Sequence, residues 1–151
     1  MSARSIATAV DIEASPATVW GVLMDFAAYP AWNPFIRSIE GRALAGERLS
    51  VAIQPPGQSP MRFRPRVQRV DEAHSFSWLG NLFVPGLFDG LHEFSLESVG
   101  AITRLHHRER FSGLLVPLLW NKMQSPTRDG FEAMNRALKA RAESLVMNDE
   151  R

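Results

Sequence analysis

At 151 residues the chain fits one domain, and its 45% apolar and 22% charged residues make an ordinary globular balance. A formal net charge of +1 gives no electrostatic case for nucleic acid or an acidic membrane surface. The lack of cysteine removes disulfides, thiolate nucleophiles and Cys-ligated metals, and no apolar run approaches the ~20 residues that span a bilayer. The first residues, Met1 to Ser5, lead into an alternating segment rather than an apolar secretion core, so a cytoplasmic single-domain protein is expected.

In chain order, Ile6, Thr8, Val10 and Ile12 alternate with Ala7, Ala9 and Asp11, the pattern of a half-buried strand. Ser15 then offers a hydroxyl to cap a helix, and Pro16 takes the first helical position, where a missing N–H costs nothing. Val19, Trp20, Leu23 and Met24 form the apolar stripe of that short helix. The run Asp25-Phe-Ala-Ala-Tyr-Pro-Ala-Trp-Asn-Pro-Phe35 follows. Its two prolines forbid a long helix, so its aromatics must be buried by a short, sharply turned element, with a second short helix near 26–29.

Strands are predicted at 36–42, 48–53, 61–70, 74–80, 87–99 and 102–112, separated by turn-rich segments such as Pro55-Pro-Gly57 and Gly100-Ala101. Pro65 donates no ladder bond, so an edge or a bulge is expected there. After Gly113 the pattern turns helical. Phe131, Met134, Leu138, Ala142 and Leu145 make one apolar face, with Asn135, Arg136, Lys139 and Arg141 mostly off it. Ser125-Pro126 predicts a kink or break, with Ser125 capping a second helix. The order of strand, two helices, six strands and a long helix is an α+β layout.

Four segments carry a family resemblance: Ser15-Pro-Ala-Thr-Val-Trp20, the aromatic-proline run, Gly86-Leu-Phe-Asp-Gly-Leu-His-Glu-Phe-Ser-Leu-Glu97 and Arg110-Phe-Ser-Gly-Leu-Leu114. With them the chain resembles the START/Bet v1-like superfamily, also called SRPBCC or polyketide cyclase/dehydrase-like, from about residue 5 to 145. The resemblance implies a helix-grip fold. A curved seven-stranded antiparallel sheet would wrap a long C-terminal helix, with two short helices after the first strand and a ligand cavity between the layers.

The last two strands allow a sharper inference. A two-residue turn at Gly100-Ala101 sets Val99 opposite Ile102, which pairs Glu93 with Arg108 and Glu97 with Arg104 on the outer face. The same register sets His92 opposite Glu109 and Phe94 opposite His107 on the inner face. A carboxyl there must be hydrogen-bonded, neutral or facing a wet cavity. His92, His107 and Glu109 are therefore a mutually satisfied core pair, a polar hook that orients a ligand, or an acid/base pair with Glu109 and His92 as catalytic groups. Phe63, Phe76, Trp78 and Phe94 on the strands, with Met134 and Leu138 on the long helix, are expected to face the same cavity or to be plain core. Trp32 and Tyr29 could guard an entrance or simply pack.

Arg62, Arg64 and Arg66 alternate with Met61, Phe63, Pro65 and Val67, which a solvated strand face explains without nucleic acid. His106 and His107 point to opposite faces, and no metal-ligand spacing, phosphate loop or nucleophile turn is present, so neither metal nor cofactor is expected. The expected function is binding of a small hydrophobic ligand, a lipid, isoprenoid or aromatic polyketide. A cyclase or dehydratase, or a protein-binding module using Leu82-Phe-Val-Pro85 and Leu87-Phe88, stand as alternatives. No nucleic-acid partner and no integral membrane association are expected, and the chain would be a monomer or a homodimer.

Overall fold

The structure, a computed structural model, describes residues 3–149; Met1, Ser2, Glu150 and Arg151 lie outside the described residues. Strand β1 (Ala3–Ile12) buries Ile6 and Ile12 and exposes Ala7, Ala9 and Asp11, as its alternation requires. Helix α1 (Pro16–Met24) begins where Ser15 Oγ accepts the Thr18 N–H at 3.2 Å, and it buries Val19, Trp20, Val22 and Leu23. The aromatic-proline run makes a single 3-10 turn (Phe26–Ala28) and a four-residue helix, α2 (Tyr29–Trp32). Asn33 Oδ1 then accepts from the N–H groups of Phe35 and Ile36 at 3.0 and 2.8 Å, which turns the chain into the next strand.

The remaining elements are β2 (Ile36–Glu40), β3 (Ser50–Ile53), β4 (Met61–Phe63), β5 (Arg66–Asp71), β6 (Ser75–Leu82), β7 (Phe88–Val99), β8 (Ile102–Ser112) and α3 (Val116–Asp149). All strand pairs are antiparallel. One sheet has the order β1-β8-β7-β6-β5 and the other β2-β3-β4. The described residues therefore hold eight strands in two sheets rather than seven in one. The difference arises at Pro65, which splits the 61–70 stretch: β4 pairs with β3, and β5 pairs with β6. Pro65 still joins the two sheets, because its carbonyl accepts the Leu49 N–H at 2.9 Å while Glu47 O accepts from Val67 at 2.8 Å.

The β7–β8 register is the one the charge pairs predict, with His92 opposite Glu109, Glu93 opposite Arg108, Phe94 opposite His107 and Glu97 opposite Arg104. On the outer face Arg108 bonds Glu93, and Arg104 lies 3.5 Å from Glu97 and 2.7 Å from Asp11.

Helix α3 lies against the inner face, chiefly over β1 and β8, and buries Phe131, Met134, Leu138 and Ala142. Two expectations fail here. First, the helix runs through Pro126 as one element, so of the predicted kink or break the break does not occur, and no second helix is capped by Ser125. The lost bond costs about 3 kcal/mol, but burial of Val116 on one side and of the Phe131–Ala142 stripe on the other anchors both halves. Each such side chain contributes roughly 1.5–3 kcal/mol when fully buried, enough to hold the helix across one missing bond. Second, Asn135 does not lie off the buried face; it is 3% exposed and belongs to the packed stripe.

Candidate functional site

Along β6 and β7 the inward rows read Phe76, Trp78, Gly80 and Gly90, His92, Phe94, and the register sets Gly80 directly opposite Gly90. Two adjacent inward positions without side chains leave a hollow in the inner layer of the sheet. A cavity of about 400 Å³ opens there, within the size range that holds small molecules. The large sheet contributes Trp78, Phe88 and Phe111, the small sheet Val51, Ile53 and Phe63, and α3 Leu119, Met123 and Pro126. The lining includes one carboxylate, Glu109, and one ammonium, Lys122. A wider depression at the far end of the sheet, around Thr18, Ile102 and Val146, is open to solvent and touches none of these residues.

Of the residues expected at the site, Phe63, Trp78 and Glu109 line the cavity. Phe76, His92, Phe94, His107, Met134 and Leu138 do not; they are buried in the core beneath it, none more than 1% exposed. Tyr29 is fully buried and its hydroxyl donates to Leu23 O at 2.8 Å, while Trp32 packs edge-on against it. Neither reaches the cavity. In the β6–β7 turn Phe83 and Val84 are exposed, whereas Leu82 and Phe88 at its base form part of the cavity wall.

A chain of polar side chains runs from the cavity wall into the core. Glu109 Oε1 stands 3.3 Å from His92 Nδ1, a contact without the alignment of a hydrogen bond. His92 Nε2 lies 2.8 Å from His107 Nε2, and His107 Nδ1 lies 2.8 Å from Asn135 Oδ1. Asn135 Nδ2 donates to Thr8 Oγ1 at 2.9 Å, and Thr8 Oγ1 donates to the His107 carbonyl at 2.8 Å. Aromatic rings enclose both imidazoles: Trp78 stacks on His92 at 4.7 Å between centroids, and Phe131 stacks on His107 at 4.0 Å. Burial, reinforced by the neighbouring His92, holds the His107 imidazole well below its ordinary value of 6.5 against the opposing hydrogen bond of Asn135. His107 is therefore neutral near pH 7.

Glu109 reaches its position because residue 90 is a glycine: a Cβ there would sit 2.3 Å from Glu109 Oε2. Sequence reasoning missed the Gly80/Gly90 pair as the origin of the cavity, together with Thr8 and Asn135. The signals were present. Both glycines fall in inward-facing rows, Thr8 shares the inward parity of Ile6, and Asn135 stands four residues after Phe131 and three before Leu138.

The sequence matches the family described as polyketide cyclase / dehydrase and lipid transport over residues 3–143. The chain belongs to this family. No protein of curated function matches the sequence. Among solved structures, the family member is similar to the Zhui aromatase/cyclase of Streptomyces sp. R1128, with a TM-score of 0.79 at 17% identity over 96% of each chain. A START superfamily protein of Mycobacterium smegmatis gives 0.71 at 24% identity, covering 93% of this chain and 98% of that one. Norcoclaurine synthase of Thalictrum flavum gives 0.73 at 15% identity, covering 95% and 96%. At these identities the likeness shows the fold alone, a helix-grip arrangement of curved antiparallel sheet and long C-terminal helix.

Proposed function

We propose that this family member binds a small hydrophobic ligand in the cavity between its sheets and α3. The observation that carries the reading is an apolar-walled cavity of about 400 Å³ whose lining holds a single carboxyl group, 3.3 Å from a buried histidine. Burying apolar ligand surface at about 25 cal/mol per Å² supplies the affinity. Glu109 supplies orientation, because a polar ligand group placed against the apolar parts of the wall loses its water without a partner. Membership of a family described by lipid transport and polyketide cyclisation supports a lipid, isoprenoid or aromatic polyketide as the ligand class.

One observation favours a second reading, proton transfer on a bound substrate. Glu109 and His92 face each other at 3.3 Å at the edge of an apolar space, where a carboxyl–imidazole pair can move a proton to or from an acidic carbon. Native mass spectrometry of the purified protein, before and after organic extraction, tests the binding reading. A bound molecule of defined mass, released by solvent, is the expected result. A ligand-free protein that also takes up no member of an alcohol, isoprenoid and polyphenol panel contradicts it.

A further inference from the structure

We propose that Thr8 and Asn135 are positioning residues that fix the direction of the hydrogen bonds through His107 and His92, so that the cavity-side oxygen of Glu109 is an acceptor and the pocket selects ligands bearing an O–H donor: a phenol, an enol or an alcohol on an apolar skeleton. The inference rests on the cavity being a ligand site and adds the chemistry that site selects.

The direction starts at a backbone carbonyl. His107 O carries no hydrogen, so the 2.8 Å contact with Thr8 Oγ1 uses the hydroxyl proton. Thr8 Oγ1 is then an acceptor toward Asn135, and the Asn135 group 2.9 Å from it must be the amide nitrogen. That orients the amide, leaving Oδ1 toward His107 Nδ1 at 2.8 Å, where it must receive an N–H. A neutral His107 with its proton on Nδ1 has a bare Nε2. At 2.8 Å it accepts from His92, whose proton is therefore on Nε2. The backbone carbonyl of His107 thus sets the tautomer of its own ring, and through it that of His92. Burial keeps His107 from taking a second proton and reversing the chain.

His92 Nδ1 now faces Glu109 Oε1 at 3.3 Å. The contact is not aligned as a hydrogen bond and a bare Nδ1 has no proton to give, so His92 uses none of the acceptor capacity of Glu109. Oε2, beside Gly90 at the cavity wall, is the oxygen left to accept from a ligand. The titratable groups around the pair are His107, stacked on Phe131 with Phe94 tilted against it, and Lys122, the other ionisable residue of the lining. Gln58 and Thr127 add neutral polarity to the wall.

Two measurements test the parts separately. In nitrogen-15 histidine-labelled protein without added ligand, two-bond proton–nitrogen couplings report which ring nitrogen is protonated. His107 is expected as the Nδ1–H tautomer and His92 as Nε2–H; His107 found as Nε2–H overturns the proposal whatever the cavity binds. Thr8→Val keeps the shape without the hydroxyl and is expected to give His107 a mixture of tautomers, with Thr8→Ser restoring the single form. An unchanged tautomer in folded Thr8→Val overturns the role of Thr8. The second measurement is titration with 2-naphthol and with its methyl ether. Wild type is expected to prefer the naphthol by about 3- to 10-fold, the worth of one net hydrogen bond. Glu109→Gln, whose amide N–H donates to His92 and whose oxygen still accepts, keeps the preference, and Glu109→Leu loses it. Equal binding of both probes to wild type overturns the ligand class and leaves the cavity reading intact. Binding of neither removes both.

Discussion

Gly130 and Gly90 meet the same clash and should respond in opposite ways. A Cβ on Gly130 of α3 would stand 2.3 and 2.4 Å from two atoms of the Phe35 ring, and one on Gly90 would stand 2.3 Å from Glu109 Oε2. Ordinary contact begins at 3.4 Å, so each obstacle must retreat by about 1 Å. Phe35 is 2% exposed and packed edge-on against Phe131 at 5.5 Å, so its rigid ring can retreat only toward the cavity it lines, and only by giving up that contact. Alanine in mid-helix gains about 1 kcal/mol of propensity, whereas overpacking a core costs roughly 1–3 kcal/mol, and a rigid ring that must give up an aromatic contact to move belongs at the upper end. Gly130→Ala should therefore lose about 1–2 kcal/mol, a fall in Tm of ~2–8 °C for a chain of this length. At Gly90 the obstacle is the free end of a flexible side chain. The carboxylate swings aside, and the stiffer unfolded chain returns about 0.4–1 kcal/mol. Gly90→Ala should stay within about 1 kcal/mol of wild type while breaking the 3.3 Å contact of Glu109 with His92. Urea unfolding of both variants measures this. A Gly130→Ala protein as stable as wild type, or a Gly90→Ala protein that loses more than Gly130→Ala, would refute the packing argument.

Two further outcomes follow from buried polar groups. His107 binds a proton more weakly when folded than unfolded, because burial and then His92 oppose its charge. The unfolded state therefore holds more protons below its ordinary value of 6.5, and stability is full above that pH and falls below it, by up to about 1.4 kcal/mol per pH unit. Asp11 and Glu143, lowered chiefly by hydrogen bonds from Arg104 and Lys139, contribute stability lost only below the carboxylate range, so urea titrations between pH 7 and about 5 should isolate His107. His107→Gln should flatten that slope; an unchanged slope contradicts the assignment. Tyr29→Phe leaves Leu23 O at the end of α1 without its buried donor and should cost about 1–2 kcal/mol in the same assay.

The strand and helix order and the β7–β8 register were legible because period-two alternation and cross-strand charge pairs are local signals. Glu93–Arg108 and Glu97–Arg104 can be matched without knowing anything beyond the hairpin. Pro65 marked an irregularity, but whether a proline bends one strand or divides it between two sheets depends on Glu47 and Leu49, which are remote partners. Pro126 misled because the local cost of a missing helix bond is visible in sequence, while the burial that offsets it lies on β1 and β8. At the site, Phe63, Trp78 and Glu109 were placed by parity alone. Parity could not separate cavity wall from core, since Phe76 and Phe94 share the rows of Trp78 and His92. What separates them is the Gly80/Gly90 hollow, a property of two strands in register. Asn135 was lost because an amide was counted as polar surface, although its helical spacing from Phe131 and Leu138 places it inward.

The most direct test of a ligand-binding cavity is to fill it. Gly80 lines the cavity, and a Cβ there meets only Pro65 at 3.8 Å, ordinary contact distance. Its large replacement in Gly80→Phe therefore projects into the empty space. Titration with N-phenyl-1-naphthylamine, whose fluorescence rises in apolar surroundings, should show one saturable site in wild type and none in a Gly80→Phe protein with unchanged circular dichroism. Equal binding by both proteins would contradict the account, because the probe would then sit somewhere other than the hollow beside Glu109.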